Sequence, residues 1–516
     1  MLATLGQSID LLLRWDMYLY ISAGLVVGMF VGAMPGLTTI LAMAVLLPIS
    51  FKLEPMLGIP FLIGVYKGGI YGGSIPAILV GIPGTGASIA TTIEGPKLTR
   101  LGKGRKALEM ALYASVIGDA LSDILTLLLI GLIAKIILLI GPPEVFAIIV
   151  FSLILIASVS GESGLKGAIA ACIGVGLGFV GTESVDGEAR MTFGLESLIG
   201  GIPLIPLVIG IFALPEILEA VESRTKSFIN EAVDASKSGE PLRWHEFKAS
   251  IRTILRSTAI GTGIGMVPGV GQVVAAFIGY SAAKRASKHP ETFGKGELDG
   301  IAGPEAANNA VNGPTLVPLL TLGIPGDNIT AILLGAFVAN GLRPGPQIFE
   351  QQGPLIYGIL LAAVVANILF VAIGYVLIKP FAKAILLPKA YLVPGILALA
   401  FVGTLSTGSA SDLGIMLVAG IGAYILKKLR YDLAPLIIGF ILAEPIELRL
   451  SQSILYARGD LMNFFFLQRP IASFFLLAGI AWVVGLFYVR YRRRSGNAGV
   501  PSSGGIDNKP TTEEAR

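Results

Sequence analysis

Ile75-Pro-Ala-Ile-Leu-Val-Gly-Ile-Pro-Gly84 returns 242 residues later as Val317-Pro-Leu-Leu-Thr-Leu-Gly-Ile-Pro-Gly326. Upstream lies a second matched pair, Gly28-Met-Phe-Val-Gly-Ala-Met-Pro-Gly36 and Gly261-Thr-Gly-Ile-Gly-Met-Val-Pro-Gly269, at an offset of 233. Two matches in the same order identify a duplicated unit. Each copy sets proline and glycine inside an apolar run, where they interrupt a helix by removing a donor and relaxing the backbone.

The composition around these motifs explains why such breaks matter. Charged residues make up 14% of the chain, against about 25% in an average soluble protein, and apolar residues 54%. Mean hydropathy is +0.78. That is too little charge to cover a soluble surface, so the reading is an all-α polytopic integral membrane protein. The 66 glycines and 30 prolines call for interrupted helices beside plain ones. Plain candidates are Ala107 to Ala134, Val145 to Ser160, Leu165 to Gly181, Leu198 to Pro215, Leu355 to Ile378, Tyr391 to Leu405, Leu413 to Leu426, Leu433 to Leu448 and Ile471 to Val489. With the broken segments they give about 11–12 spans of roughly 20 residues.

Charge divides the chain and orients it. Residues 1–215 form the first membrane half, 216–256 a polar cytoplasmic connector, 257–491 the second half, and 492–516 a disordered cytoplasmic tail rich in Gly, Ser, Pro and Glu. Lys97, Arg100, Lys103, Arg105 and Lys106 follow the first Gly-Ile-Pro-Gly, whereas only Arg343 follows the second. The flanks of the second Met-Val-Pro-Gly are basic, with Arg252, Arg256, Lys284, Arg285 and Lys288 among them. Those of the first carry only Arg14 and Lys52, each beside an acid. By the positive-inside rule the two copies face opposite ways, the signature of inverted-topology repeats. Arg490 and Arg492 to Arg494 read as a cytoplasmic anchor. Met1 to Asp16 lacks the basic region and cleavage site of a secretory signal and is expected to be retained.

Ser257 to Ser281 has basic flanks at both ends and Pro-Gly in its middle, which suits a re-entrant hairpin better than a full crossing. Two arms of about 12 residues each reach roughly half the bilayer. The Gly-Ile-Pro-Gly segments, whose ends differ in charge, read as crossing helices broken near mid-membrane.

Irregular backbone at membrane depth persists where it lines a site. Broken helices offer N-terminal amides to anions and freed carbonyls to small cations. The candidates are Pro35, Gly36 and Thr38; Ser74, Gly81, Pro83, Gly84, Thr85 and Gly86; Pro268 and Gly269; and Gly323, Pro325, Gly326 and Asn328. Asn308, Asn309 and Asn312 precede the second break, beside Glu305. Asp327, a carboxylate at a break, reads as a cation ligand or proton carrier, or else as the cap of the following half-helix. Lys67 is either the partner of an anionic substrate or a residue snorkelling to an interface. Asp119 and Asp123, one turn apart, are a relay or face a polar interface. Gly-xxx-Gly spacings such as Gly28 to Gly32 serve helix packing by default.

Several functions are excluded. Gly261-Thr-Gly-Ile-Gly-Met lacks the Gly-Lys-Ser/Thr of a nucleotide-binding loop. Cys172, the single cysteine, permits no disulfide or Cys-x-x-Cys metal site, and His245 and His289 lie in charged loops. No catalytic dyad stands out at membrane depth, so neither an enzyme nor a cofactor is expected. A channel would share the wet, broken segments, but its flux would neither saturate nor run uphill.

Three stretches carry a family likeness: Gly28 to Thr38, Tyr71-Gly-Gly-Ser-Ile-Pro-Ala-Ile-Leu-xx-Ile-Pro-Gly-Thr-Gly86, and Gly303-Pro-Glu-xx-Asn-Asn-Ala-xx-Gly-xx-Val-Pro-Leu-Leu-xx-Gly-Ile-Pro-Gly326. From about Ala23 to about Leu448 the chain resembles the large permease subunit of the tripartite tricarboxylate transporters. The resemblance implies a secondary transporter importing organic carboxylates across the bacterial inner membrane. It also implies two partners, a small membrane subunit and a periplasmic solute-binding protein. The coupling ion, Na+ or H+, and the carboxylate stay open. On this reading the breaks, helped by Ser74, Thr85, Asn309, Asn328 and Lys67, hold the carboxylate, while Asp327 with Asn308 and Asn312 holds the coupling cation.

Overall fold

The computed structural model describes residues 2–159, 161, 163–183, 187–222, 239–384, 389–406 and 408–497. The described residues are mostly helical, and among them one two-stranded antiparallel pairing joins Gly181–Thr182 with Ala189–Arg190. The first half contains α1 (Leu2–Leu12), α2 (Trp15–Gly32), α3 (Thr39–Ser50), α4 (Pro55–Leu79), a 3₁₀ helix (Gly86–Ile93), α5 (Gly104–Ile137), α6 (Pro142–Val159), α7 (Gly164–Gly178) and α8 (Leu204–Glu222). The second contains α9 (Trp244–Gly265), α10 (Gly271–Ala286), α11 (Asp299–Asn309), α12 (Leu316–Leu322), α13 (Asn328–Ala339), α14 (Gly353–Ala384), α15 (Lys389–Leu405), α16 (Ser411–Lys428), α17 (Ala434–Ala457) and α18 (Pro470–Asn497). Residues 223–238 of the expected connector and 498–516 of the expected tail lie outside the described residues.

All nine plain stretches fall on helices. Two boundaries move: the helix expected from Leu198 starts at Leu204, because Gly200-Gly201-Ile202-Pro203 intervenes, and the one expected to reach Gly181 ends at Gly178. Among the described residues, five helices are long and apolar enough to cross a membrane, namely α2, α5, α6, α8 and α14. Leu461–Gln468 with Pro470–Leu486, bent by 99°, makes a sixth if counted as one span. That is fewer than the 11–12 expected, since α3, α7, α13 and Val393–Leu405 are apolar but shorter.

Close packing explains much of the glycine. Along α2, a Cβ on Gly24, Gly28 or Gly32 would lie 2.1, 2.3 and 2.3 Å from the carbonyl oxygens of Phe61, Val65 and Gly69 on α4. Gly64, Gly68 and Gly72 answer from α4, where a Cβ would lie 2.4–2.6 Å from the carbonyls of Ile21, Leu25 and Met29. Backbone therefore meets backbone along the whole contact, as small-residue stripes permit. The second copy does the same: a Cβ on Gly261 of α9 would lie 2.1 Å from the Ala307 carbonyl of α11. Met56 to Leu79 is buried without interruption, which makes α4 the hub of the core.

The two copies share a succession of elements. α2, a Met-Pro-Gly turn, α3, α4, Gly-Ile-Pro-Gly and the 3₁₀ helix match α9, a Val-Pro-Gly turn, α10, α11 with α12, Gly-Ile-Pro-Gly and α13. Gly36 and Gly269 both have φ of 84°, and Gly81 and Gly323 have φ of 75° and 71°. These left-handed positions tolerate little but glycine. The copies part company where α4 runs on but its counterpart breaks between Asn309 and Leu316, at Gly313-Pro314. Glu94 ties the copies together, accepting from Tyr280 Oη at 2.8 Å and from the amides of Gly296 and Glu297 at 2.7 and 3.0 Å.

Candidate functional site

Residues at the end of, or just after, the four duplicated motifs meet around one cavity of about 370 Å³. Thr38 and Thr39 reach it from the first turn, Thr85 and Gly86 from the first break, Gly269 to Val274 from the second turn, and Gly326, Asp327 and Asn328 from the second break. Ile156 and Val159 of α6, Ile70 of α4 and Ile438 of α17 add apolar wall. Local bonds fix the arrangement: Gly269 N donates to Gly326 O at 2.9 Å, joining second turn to second break, and Gly84 N donates to Gly73 O at 3.1 Å.

Asp327 caps α13. Its Oδ1 accepts from Thr330 N and Thr330 Oγ1, both at 2.8 Å, and its own amide donates to Thr330 Oγ1 at 2.9 Å. The capping reading of the sequence is therefore correct for one oxygen. Oδ2 points elsewhere and accepts from Tyr66 Oη at 3.0 Å. Gln272 Nε2 in turn donates to Tyr66 Oη and, at 3.0 Å, to Asn312 Oδ1. A carboxylate oxygen with one donor keeps acceptor capacity for a proton or a hard cation.

The cavity's electrostatics are uneven. Asp327 and Asp432 both line it, and among the described residues no Lys, Arg or His does. The hydroxyls of Thr39 and Thr85 are buried without a hydrogen-bond partner in the described structure. Both side chains pack on α4, where a Cβ on Gly69 would lie 2.5 Å from Thr39 Oγ1 and one on Gly73 would lie 2.8 Å from Thr85 Oγ1.

Other sequence candidates lie away from this cavity. Ser74 donates to Glu305 Oε1 at 2.6 Å, alongside Thr91 at 2.5 Å, and Ser115 donates to Oε2 at 3.1 Å. Asn309 Nδ2 donates to Ser115 Oγ at 2.9 Å and to Asn308 Oδ1 at 2.5 Å, so Asn308 and Asn309 belong to this Glu305 cluster. Lys67, 1% exposed, neither reaches the cavity nor snorkels. Its Nζ donates to Asp119 Oδ2 at 2.7 Å, Asp123 Oδ2 at 2.5 Å and Asn367 Oδ1 at 3.5 Å. Pro35, Gly36, Gly81, Pro83, Gly84, Pro268, Gly323 and Pro325 shape the turns and breaks but do not line the cavity.

Sequence reasoning missed Thr39, Tyr66, Gln272 and Asp432. Gln272 stands at the position of Thr39 in the duplicate, a signal that was readable. Asp432 carried none, since it precedes an apolar run in a stretch that reads as a loop.

Comparison with known proteins follows the same lines. The chain is 36% identical over 464 residues, 89% of its length and 91% of the relative's, to an uncharacterized 52.8 kDa protein in the TAR-I ttuC' 3' region of Agrobacterium vitis. It is 37% identical over 225 residues, 43% of its length and 92% of the relative's, to an uncharacterized protein in the TAR-II ttuC' 3' region of the same organism. No solved structure matches. Residues 18–438 match the tripartite tricarboxylate transporter TctA family, and the chain belongs to that family of transporters.

Proposed function

We propose that the chain is the large permease subunit of a binding-protein-dependent secondary transporter that imports organic carboxylates across the bacterial inner membrane. A small membrane subunit and a periplasmic solute-binding protein complete the system. The convergence on one cavity of residues at the end of, or just after, all four duplicated motifs supports this reading most directly. Asn328 and the backbone of the two breaks, with Thr39 and Thr85 of the wall, are the carboxylate ligands.

Coupling follows from the charges. An anionic substrate entering a cavity that holds Asp327 and Asp432 and no basic side chain meets repulsion, which is costly in a low-dielectric setting. A proton or sodium ion on Asp327 lessens it, so anion and cation bind better together than apart. Gradient-driven symport needs that linkage. The matched elements of the two copies, taken as inverted repeats, then rock about the cavity and open it alternately to either side. A channel has no use for such linkage, and accumulation of substrate against its gradient distinguishes the two.

Cysteine labelling tests the site. In a Cys172→Ser background, Thr85→Cys and Asn328→Cys should react with a water-soluble thiol reagent and be protected by citrate or a smaller di- or monocarboxylate. Labelling that no carboxylate changes, in variants that still transport, would place the substrate elsewhere.

A further inference from the structure

Lys67, Asp119, Asp123 and Asn367 form a polar island in the core, on α4, α5 and α14. The Lys67, Asp119 and Asp123 side chains are 1%, 0% and 2% exposed. Asn367 Nδ2 donates to Asp123 Oδ2 at 2.7 Å, and Asp119 Oδ1 has no hydrogen-bond partner among the described residues. Counting charge, one ammonium faces two carboxylates. The island holds one negative charge too many for a buried site, where an unbalanced charge is strongly disfavoured.

We propose that this triad is a proton-binding site that retains one exchangeable proton, shared between Asp119 and Asp123. A metal cation fits less well, because the Lys67 ammonium already sits 2.5–2.7 Å from both carboxylates, where such an ion would bind. Other groups facing the triad are few. Tyr66 precedes Lys67 on α4, with Asp327 beyond it; Asn312 lies beside Asp119 in the α11–α12 break; Asn367 comes from α14. A Cβ on Gly313 would lie 2.5 Å from Asp123 Oδ1, so the break packs directly on the triad.

The triad also lies close to the polar side chains of the cavity wall. Gln272 lines the cavity and donates to Asn312 Oδ1 and Tyr66 Oη, and Tyr66 donates to Asp327. Hydrogen bonds thus run from the cavity wall to Asn312, whose side chain lies beside Asp119. Use of this proton in coupling rests on the transport reading above, whereas the proton site itself does not.

The test needs no substrate. In pH-difference infrared spectra of the purified chain in liposomes, a carboxylic-acid C=O component should titrate. It should be absent from both Asp119→Asn and Asp123→Asn, present in Glu305→Gln, and unmoved by Na+ at constant pH. Each Asn variant carries the charge balance of the protonated triad and should melt at the wild-type temperature. With Asp327 and Asp432 also replaced by Asn, a component that survives in both variants, or that Na+ displaces, overturns the proposal, and so does destabilisation by both single substitutions. Loss of the component in chains that show no carboxylate uptake would fault the transport reading alone.

Discussion

The two Gly-Ile-Pro-Gly breaks share a backbone and differ in chemistry. Gly81 and Gly323 take the same left-handed conformation, and Gly84 and Gly326 press on equivalent residues, Gly73 and Thr315. Yet Thr85 opens a 3₁₀ helix where Asp327 caps an α-helix. On the preceding helix, Tyr66 and Lys67 of the first copy stand where the second has Asn308 and Asn309. The cation of the pair sits in one copy and the break carboxylate in the other. Duplication supplied the cavity's geometry, and divergence put a carboxylate, Asp327, at its wall in one copy and an ammonium, Lys67, in the core behind it in the other.

Exchanging matched residues should therefore give unequal results. The largest difference is expected between Lys67→Met and Asn309→Ala. The first strands Asp119 and Asp123 without their cation, at a cost of about 3–5 kcal/mol. The second removes neutral hydrogen bonds worth about 1 kcal/mol. Thermal or denaturant unfolding of the purified proteins measures both, and equal losses would erase the distinction between copies.

A smaller contrast separates Gly84→Ala from Gly326→Ala. At Gly84 the new methyl meets backbone, 2.2 Å from Gly32 O and 2.7 Å from Gly73 Cα. At Gly326 it meets the Thr315 side chain, with Oγ1 at 1.9 Å. Each should cost about 1–3 kcal/mol, but only Gly326→Ala should be rescued by Thr315→Gly, which restores the first copy's arrangement. Rescue of Gly84→Ala by trimming a neighbouring side chain would break the comparison. Smallest is Ser74→Ala, which leaves Glu305 the hydroxyls of Thr91 and Ser115 and should lower stability by about 0.5–1.5 kcal/mol.

The sequence made the scaffold readable because periodic apolarity and repeated Pro-Gly pairs are local signals. The same locality explains what it hid. Lys67 read as a substrate partner or an interfacial residue because its neutralising acids lie 52 and 56 positions away, on another helix. Ser74 sits beside the first break in sequence, yet its hydroxyl turns to Glu305, 231 positions on. Gly28 and Gly32 were readable as packing residues because their spacing alone matches a helix face. Asp327 was legible from both sides, since a carboxylate after Gly-Ile-Pro-Gly is at once a cap and a charge at a break.

Cation-driven uptake by Asp327→Asn tests the central claim most directly. The substitution keeps the cap, because Asn also accepts from Thr330 N, but removes the charge proposed to recruit the cation. Reconstituted with its partners, the variant should insert normally and lose at least about tenfold of its gradient-driven citrate uptake, equivalent to about 1.4 kcal/mol. Uptake with wild-type dependence on the proton or sodium gradient would contradict the account.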